Sequence, residues 1–167
     1  MEINQHISRA ISEVFDQVLK QLQDLDEHRL NQQPADGGWS IGQTVEHILR
    51  SSSGIPDQKV QVFNRAYDEQ VPALKQLFLD LNSKYQSDSF FLPKQEHYEI
   101  NDLKNRIIAN KTKLIVDIKD KDLTLLCMDR EFPQLGYLTR FEWLMGICTH
   151  TQRHVYQIER IRKEVVA

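Results

Sequence analysis

The fold is decided by residues 139–163, TRFEWLMGICTHTQRHVYQIERIRK, near the end of the chain. Thr139 is followed three residues later by Glu142, the pair that forms a capping box at a helix N-terminus. Side chains expected on one inward face then recur at steps of three and four residues, which is the period of an amphipathic helix. They are Trp143, Ile147, His150, His154, Ile158 and Ile161. The stretch therefore predicts a long last helix with two histidines in its apolar stripe.

Three more main helices are predicted upstream of it. Residues 3–25 carry apolar side chains at helical spacing, and the NQQPADGG run at 31–38 breaks the pattern. A second helix begins at Ser40, with Gln43 completing another capping box, and runs to about residue 52. A third runs from about residue 101 to residue 118. Few glycines and prolines (6 and 5) favour such long regular elements.

The second and third helices are joined by a long connection. Within it, residues 71–78 indicate a short helix, and residues 83–93 a loop that packs apolar side chains onto the helices. Those side chains are Phe90, Phe91 and Leu92. The chain shows no convincing run of alternating strands and no internal repeat. The prediction is an all-α protein, a four-helix bundle with a long crossover, forming one domain over residues 1–167.

The composition limits the kinds of molecule that the protein is expected to bind. The 167 residues include 21 basic and 24 acidic side chains, a net charge of −3, without a basic block or stripe. Nucleic acid and anionic membranes are therefore not expected partners. No apolar run approaches the roughly 20 residues that cross a bilayer, and no secretory signal is visible. Two cysteines without a CxxC motif fit a reducing cytosol, so a cytoplasmic location is expected.

His150 and His154 lie one helical turn apart, so their imidazoles can reach one ion. His47, on the second helix, has the small polar residues Thr44 and Ser51 one turn to either side, which leaves room for a pocket. Sites in helical bundles are built from facing helices. Three histidines on two helices predict a metal site with an open position for water or substrate, suited to zinc but also to nickel or iron.

A structural interpretation of the histidines stands beside this one. An HxxxH pair alone is more often surface or satisfied core than a metal site, and Thr151 occupies the place of the glutamate of an HExxH protease. Cys148, two residues before His150, points elsewhere and is a poor fourth ligand. Cys127 lies in a predicted loop without a recognisable partner. The remaining histidines, interpreted as surface residues, are His6, His28 and His97.

Four stretches carry a family resemblance. They are WSIG at 39–42, EH at 46–47, LGYLTRFEW at 135–143 and HTQRHVYQI at 150–158. With them the chain resembles the DinB-like superfamily, including its YfiT-type metal-dependent enzymes, over nearly its whole length. The resemblance implies a four-helix bundle with up-down-down-up connection, often a homodimer. It also implies a metal triad at His47, His150 and His154.

Characterised members of that superfamily use low-molecular-weight thiols, as in bacillithiol S-transferases and the mycothiol-dependent maleylpyruvate isomerase. The resemblance thus implies a metal-dependent S-transferase or isomerase, with a divalent metal ion, a thiol cofactor and a small-molecule electrophile as substrate. Gln152, Arg153 and Gln157 flank the histidine pair. A glutamine can orient a ligand imidazole, and Arg153 can meet a carboxylate, although solvated arginines and glutamines are common on helices. Arg153 and Gln157 are thus candidate cofactor-binding residues.

Two other function classes remain open. A metal-dependent hydrolase would activate water, but no general base is evident near the histidine pair. A non-catalytic, stress-associated bundle would keep the metal site for structure or as a vestige. An open coordination position favours an enzyme, and a closed site favours the non-catalytic class.

Overall fold

The computed structural model describes residues 2–84 and 86–167. The predicted loop at 83–93 includes Tyr85, which lies outside the described residues. The described α-helices are α1 (Glu2–Gln21), α2 (Glu27–Asn31), α3 (Ile41–Ser51), α4 (Val71–Leu79), α5 (Ile100–Ile118) and α6 (Arg140–Val166). A 3-10 turn (Ser89–Phe91) and two short strands, β1 (Val60–Gln61) and β2 (Leu126–Cys127), complete the elements. The described part of the chain is mostly helical, as predicted.

Both predicted capping boxes are present, and they start the two helices that carry the candidate histidines. The Ser40 hydroxyl accepts from the Gln43 backbone at 3.1 Å, and the Gln43 side chain accepts from the Ser40 backbone at 3.1 Å. Thr139 and Glu142 make the same exchange at the start of α6, at 3.1 and 2.8 Å. Each box satisfies backbone donors that a helix N-terminus otherwise leaves unpaired. The starts of α3 and α6 are thereby defined by local chemistry.

The first helix ends earlier than predicted. The apolar stripe continues to Leu22 and Leu25, both buried, but α1 stops at Gln21 and the chain turns at Asp24, whose φ is +56°. Asp26 then caps α2 by accepting from the Arg29 backbone at 2.8 Å. Buried side chains therefore continue at helical spacing beyond the end of α1, because the turn keeps Leu22 and Leu25 against the core.

The core lies among the four longer helices. Helix α1 packs against α5 and α6, helix α3 packs against the same two, and α4 packs against α6. Each of the four contributes fully buried isoleucines, such as Ile11, Ile48, Ile107 and Ile158. Burying one such side chain contributes about 1.5–3 kcal/mol. The up-down-down-up order of a four-helix bundle stays a prediction. Among the described residues, no helix combines the length and apolar character needed to span a membrane.

Two short strands were not predicted. β1 pairs with β2 in antiparallel register, with Val60 opposite Cys127 and Gln61 opposite Leu126. Cys127, predicted to lie in a loop, is therefore in a strand. Two-residue strands are too short to show alternation of apolar and polar side chains, so the sequence pattern could not indicate them. The pair ties the crossover to the segment that precedes α6.

The crossover contains α4, as predicted, but its second half packs differently. Phe90 is 63% exposed and Leu92 is 38% exposed, so the prediction that they pack onto the helices is wrong for both. The Phe90 ring instead lies against the Arg50 guanidinium, which is 5.5 Å from the ring centre. A cation over the ring face stabilises an exposed aromatic without burying it.

The inward face of α6 is wider than predicted: Ile147, His154, Ile158 and Ile161 are buried as expected, but so are residues outside the predicted stripe. Trp143 and His150 are only partly buried, whereas Leu144, Thr151 and Val155 are fully buried. Helix α6 contacts α1, α3 and α4, so it buries more than one stripe. His150 therefore lies at the edge of the core, beside the crossover.

Candidate metal centre

His47 from α3 and His150 and His154 from α6 meet in one cluster. The Nε2 atom of His150 is 3.2 Å from Nε2 of His47 and 3.1 Å from Nε2 of His154. One nitrogen from each ring lies within 4.8 Å of the others. The three rings meet edge to face, with centroids 4.5 to 5.0 Å apart. The structure thus brings together the three residues that the sequence analysis selected.

The other nitrogen of each buried ring has an acceptor. Nδ1 of His47 lies 2.8 Å from the Phe91 carbonyl oxygen, and Nδ1 of His154 lies 2.7 Å from Oε1 of Gln157. Carbonyl oxygens accept hydrogen bonds and do not donate, so both Nδ1 atoms carry the proton. The Nε2 atoms of His47 and His154 are left as lone pairs.

The third ring is oriented through Ser51. The Ser51 hydroxyl donates to the His47 carbonyl at 2.8 Å, and its oxygen lies 3.3 Å from Nδ1 of His150. With its hydrogen directed at the carbonyl, the Ser51 oxygen is placed to accept a hydrogen bond from Nδ1 of His150. All three Nε2 lone pairs therefore point into the cluster, and histidine ligands held through the opposite nitrogen are the usual arrangement around protein metals.

Burial keeps the three rings neutral. It lowers the pKa of His154 to about 3 and lowers the pKa of His150 well below its ordinary value, with neighbouring histidines adding to both effects. Burial also lowers the pKa of His47, partly offset by the hydrogen bond to Phe91. Neutral imidazole is the form that binds metal, so protons compete little for these nitrogens near neutral pH.

The spacing fits a divalent ion. Two nitrogens bound to one tetrahedral zinc ion lie about 3.3 Å apart, because each Zn–N bond is about 2.0–2.1 Å. The two Nε2 separations that involve His150, 3.1 and 3.2 Å, are close to that value. Three buried lone pairs facing one another without a hydrogen between them are unfavourable, and a cation at their focus satisfies all three. The donor set suits zinc, nickel or iron.

Aromatic rings border the cluster on two sides. The Trp39 ring lies 5.0 Å from the His47 ring, and the Phe78 ring of α4 lies 5.1 Å from the His150 ring. His47 and His154 are 2% and 8% exposed, whereas His150 keeps partial exposure. Any small molecule would therefore approach along His150. Nothing local in the sequence indicated Phe78, because the second half of the crossover, α5 and the segment before α6 separate it from His150.

The candidate cofactor-binding residues are occupied by other contacts. Gln157 holds His154, as described above. The Arg153 guanidinium donates to the backbone carbonyls of Phe78 and Asp80, at 3.1 and 2.7 Å, and to that of Ser83. Gln152 lies on another face, in a groove of about 190 Å³ between α1 and α6. Of the three flanking residues, Gln157 forms a hydrogen bond with a histidine of the cluster.

No sulfur or carboxylate joins the histidines in the described residues. Cys127 and Cys148 are buried elsewhere, and burial raises the pKa of each thiol to about 12. Glu46, beside His47, turns away to pair with Arg106 at 2.6 Å. Thr151 is buried, and its hydroxyl finds no hydrogen-bond partner within residues 2–84 and 86–167. Among the residues that the structure describes, the cluster is a set of three nitrogens without an adjacent general base.

The three remaining histidines are exposed, as predicted from the sequence. His28 and His97 share a shallow cavity of about 510 Å³ with Glu27, Asn31 and Gln32. Neither this cavity nor the groove at Gln152 contains a residue of the cluster.

Comparisons with known proteins point to one family. The family model described as the DinB superfamily matches residues 10–158. Uncharacterized protein YuaE of Bacillus subtilis (strain 168) is 23% identical over 152 residues, which cover 87% of this chain and 90% of that protein. No solved structure matches.

Proposed function

Because this chain belongs to the DinB superfamily, we propose that it is a metal-dependent enzyme in which His47, His150 and His154 hold one divalent ion. The observation that carries the proposal is the convergence of three Nε2 lone pairs, each fixed by an acceptor on the opposite nitrogen or by Ser51. Three protein ligands leave a further coordination position for a small molecule.

The reaction proposed is a thiol-dependent S-transfer or isomerisation on a small electrophile. A divalent ion lowers the pKa of a thiol or water bound to it, which supplies the nucleophile near neutral pH. The residues of the chain hold the ion and orient its ligands. The hydrogen bonds with the Phe91 carbonyl, Gln157 and Ser51 keep the imidazoles in one tautomer. The rings of Trp39 and Phe78 limit access of water to the cluster.

The absence of a base among the described residues of the cluster favours a thiol over water as the nucleophile. A thiol is more acidic than water, so binding to an ion is sufficient to ionise it. Water-activating hydrolases commonly add a carboxylate that accepts the proton. Glu46 is paired with Arg106 and does not serve in that way.

A non-catalytic metal site is the second candidate. It is favoured by the burial of His47 and His154 and by the position of both cavities away from the cluster. Under this alternative the ion would link α3 to α6 without turnover.

We also propose the finer architecture that the family implies. The contacts of α1 and α3 with both α5 and α6 support a four-helix bundle with up-down-down-up order, built as one domain over residues 1–167. A homodimer in the cytoplasm, with a small-molecule substrate and without nucleic-acid or membrane partners, completes the proposal. Sedimentation equilibrium of the purified protein tests the dimer, and a single species at 19.7 kDa would contradict it.

Metal analysis of the purified protein tests the site. We expect about one zinc, nickel or iron per chain, lost in His150→Ala and retained in His97→Ala, a matched change of an exposed histidine. Undiminished stoichiometric metal in His150→Ala would refute the triad.

A thiol assay tests the reaction. Cysteine and chlorodinitrobenzene serve as probes: the thiolate sulfur forms a bond to the ring carbon and chloride leaves. We expect a rate above the uncatalysed one that chelator removes and added metal restores. A metal-loaded protein without thiol-dependent or hydrolytic turnover would favour the non-catalytic alternative.

A further inference from the structure

The 3-10 turn Ser89–Phe91 supplies an essential contact of the cluster although it is poorly anchored by burial. None of its three residues is buried, and Phe90 is 63% exposed. Yet the Phe91 carbonyl is the acceptor for Nδ1 of His47, at 2.8 Å. A turn with so little buried apolar surface needs polar contacts to hold one position.

Arg50 provides such contacts. Its Nε donates to the Phe90 carbonyl at 2.9 Å, and its guanidinium lies over the Phe90 ring at 5.5 Å from the centre. Two successive carbonyls of the turn are therefore taken by two side chains of α3, His47 and Arg50. Because residues three apart lie on the same face of a helix, this face of α3 contacts the turn at two points.

Arg50 is itself held in place. Its guanidinium lies 3.6 Å from Glu46, one turn earlier on α3, and Glu46 is 6% exposed. Glu46 also pairs with Arg106 of α5, at 2.6 Å. A series of contacts thus connects α5 through Glu46 and Arg50 to the turn, and the turn itself contacts His47.

We infer that Arg50 is a positioning residue for the metal centre: by fixing the 3-10 turn, it keeps the Phe91 carbonyl on His47 and so keeps the Nε2 lone pair of His47 directed at the ion. The inference rests on the proposed metal site. Which nitrogen of a neutral histidine carries the proton is set by the hydrogen bond that the other nitrogen makes. Without the carbonyl, the His47 proton can occupy Nε2 and block the ligand lone pair.

The experiment compares Arg50→Met with Arg106→Met. Both variants remove one cationic partner of Glu46, but only Arg50 also contacts the turn. Nitrogen-15 NMR of the histidine rings in the metal-free protein reports the tautomer of His47, and competition with a chromogenic chelator reports zinc affinity. In wild type and Arg106→Met we expect the Nδ1-protonated tautomer. In Arg50→Met we expect mixed tautomers and an affinity lower by about tenfold or more, the scale of lost outer contacts at metal sites.

The variant Arg50→Lys distinguishes the loss of the contact with the turn from a folding defect. Lysine retains a cation near Glu46 and can donate to the Phe90 carbonyl, so it should recover part of the affinity and most of the tautomer signal. Thermal unfolding by circular dichroism identifies variants that are folded. A folded Arg50→Met protein that binds zinc as Arg106→Met does, with an unchanged His47 tautomer, overturns the inference.

The two proposals fail in different ways. If wild-type protein binds no metal, the proposed function fails while the tautomer measurement still decides the role of Arg50. If His150→Ala loses the ion and Arg50→Met keeps both affinity and tautomer, the metal site stands and the positioning role is wrong.

Discussion

At the scale of single residues, two glutamines of α6 have opposite roles. Gln157 accepts from Nδ1 of His154 at 2.7 Å, whereas Gln152 lies in the groove facing α1. Gln157→Met should lower zinc affinity by about tenfold to a hundredfold, because His154 loses the acceptor that orients it. Gln152→Met should leave affinity unchanged. Calorimetric titration measures both, and equal affinities in the two variants would show that Gln157 does not support the ion.

The buried histidines also predict how stability changes with pH in the metal-free protein. The pKa of His154 falls from 6.5 to about 3 on folding, so between these values the unfolded chain binds a proton that the native protein excludes. The free energy of unfolding must therefore decrease as pH falls below about 6.5. One such group accounts for about 1.4 kcal/mol per pH unit.

Urea unfolding at about pH 7.5 and about pH 5.5 measures this effect. His154→Gln, which cannot titrate, should lose about 1.4 kcal/mol less than wild type over that interval. His28→Gln, altering an exposed histidine, should behave as wild type. Identical losses in His154→Gln and wild type would mean that His154 is protonated in the native state.

At the scale of elements, two glycines within helices predict opposite effects of alanine. A Cβ on Gly42 would lie 2.9 Å from the Tyr98 ring, and Tyr98 is fixed by hydrogen bonds of its backbone to Asn31. A Cβ on Gly146 would meet only Leu74, at 3.8 Å. Overpacking costs about 1–3 kcal/mol, and alanine is favoured over glycine in a helix by about 1 kcal/mol.

Gly42→Ala should therefore lower the free energy of unfolding by about 1–2 kcal/mol, and Gly146→Ala should raise it by up to about 1 kcal/mol. Urea denaturation of the two variants measures the difference. Stabilisation by Gly42→Ala would show that Tyr98 moves aside without cost.

The start of α6 depends on a buried ion pair. Glu142 is fully buried and accepts from Arg65 at 2.6 and 2.8 Å, as well as from the Thr139 and Gln70 backbones. Glu69, the other partner of Arg65, lies at 3.5 Å and is 54% exposed. Glu142→Gln should cost about 3–5 kcal/mol, because it removes the buried charge partner of a partly buried guanidinium and leaves it the exposed Glu69. Glu69→Gln should cost less than about 1 kcal/mol.

Chemical denaturation compares these two carboxylate variants directly. Equal stability of Glu142→Gln and Glu69→Gln would mean that the buried pair contributes no more than the exposed one. Metal binding should survive in Glu142→Gln, since Glu142 lies two helical turns before His150.

Local chemistry explains which elements were predictable. Ser40 with Gln43, and Thr139 with Glu142, are complete N-terminal signals within four residues, and the helices begin where those signals stand. The end of α1 carries no such signal, because the turn uses Asp24 at positive φ where glycine would have marked it. The five-residue α2 is too short for a periodic pattern.

The same contrast holds within the candidate site. The HxxxH spacing and the capped helix of His47 were sufficient to predict the three histidines from the sequence. The acceptor for His47 is a backbone carbonyl, which every residue type carries, so no side-chain pattern could point to Phe91. The contact of Trp39 with His47 likewise appears only when the turn between α2 and α3 is folded.

At the scale of the whole molecule, the ion would join two helices that are distant in sequence. A ligand that binds only the folded chain stabilises it, by about 2.7 kcal/mol at a hundredfold excess over its dissociation constant. Zinc should therefore raise the melting temperature of wild type and of His97→Ala, and should leave that of His47→Ala unchanged. An equal rise in His47→Ala would place the bound zinc at other residues.

The separation of 103 residues between His47 and His150 has a consequence for how the protein is made. Translation adds about 5–20 residues per second, so His47 leaves the ribosome about 5–20 s before His150. During that interval the nascent chain displays one of the three imidazoles of the cluster, which binds metal weakly by itself. Loading with the ion must then follow the emergence of α6 from the ribosome, and a polypeptide truncated before α6 would lack two of the three proposed ligands.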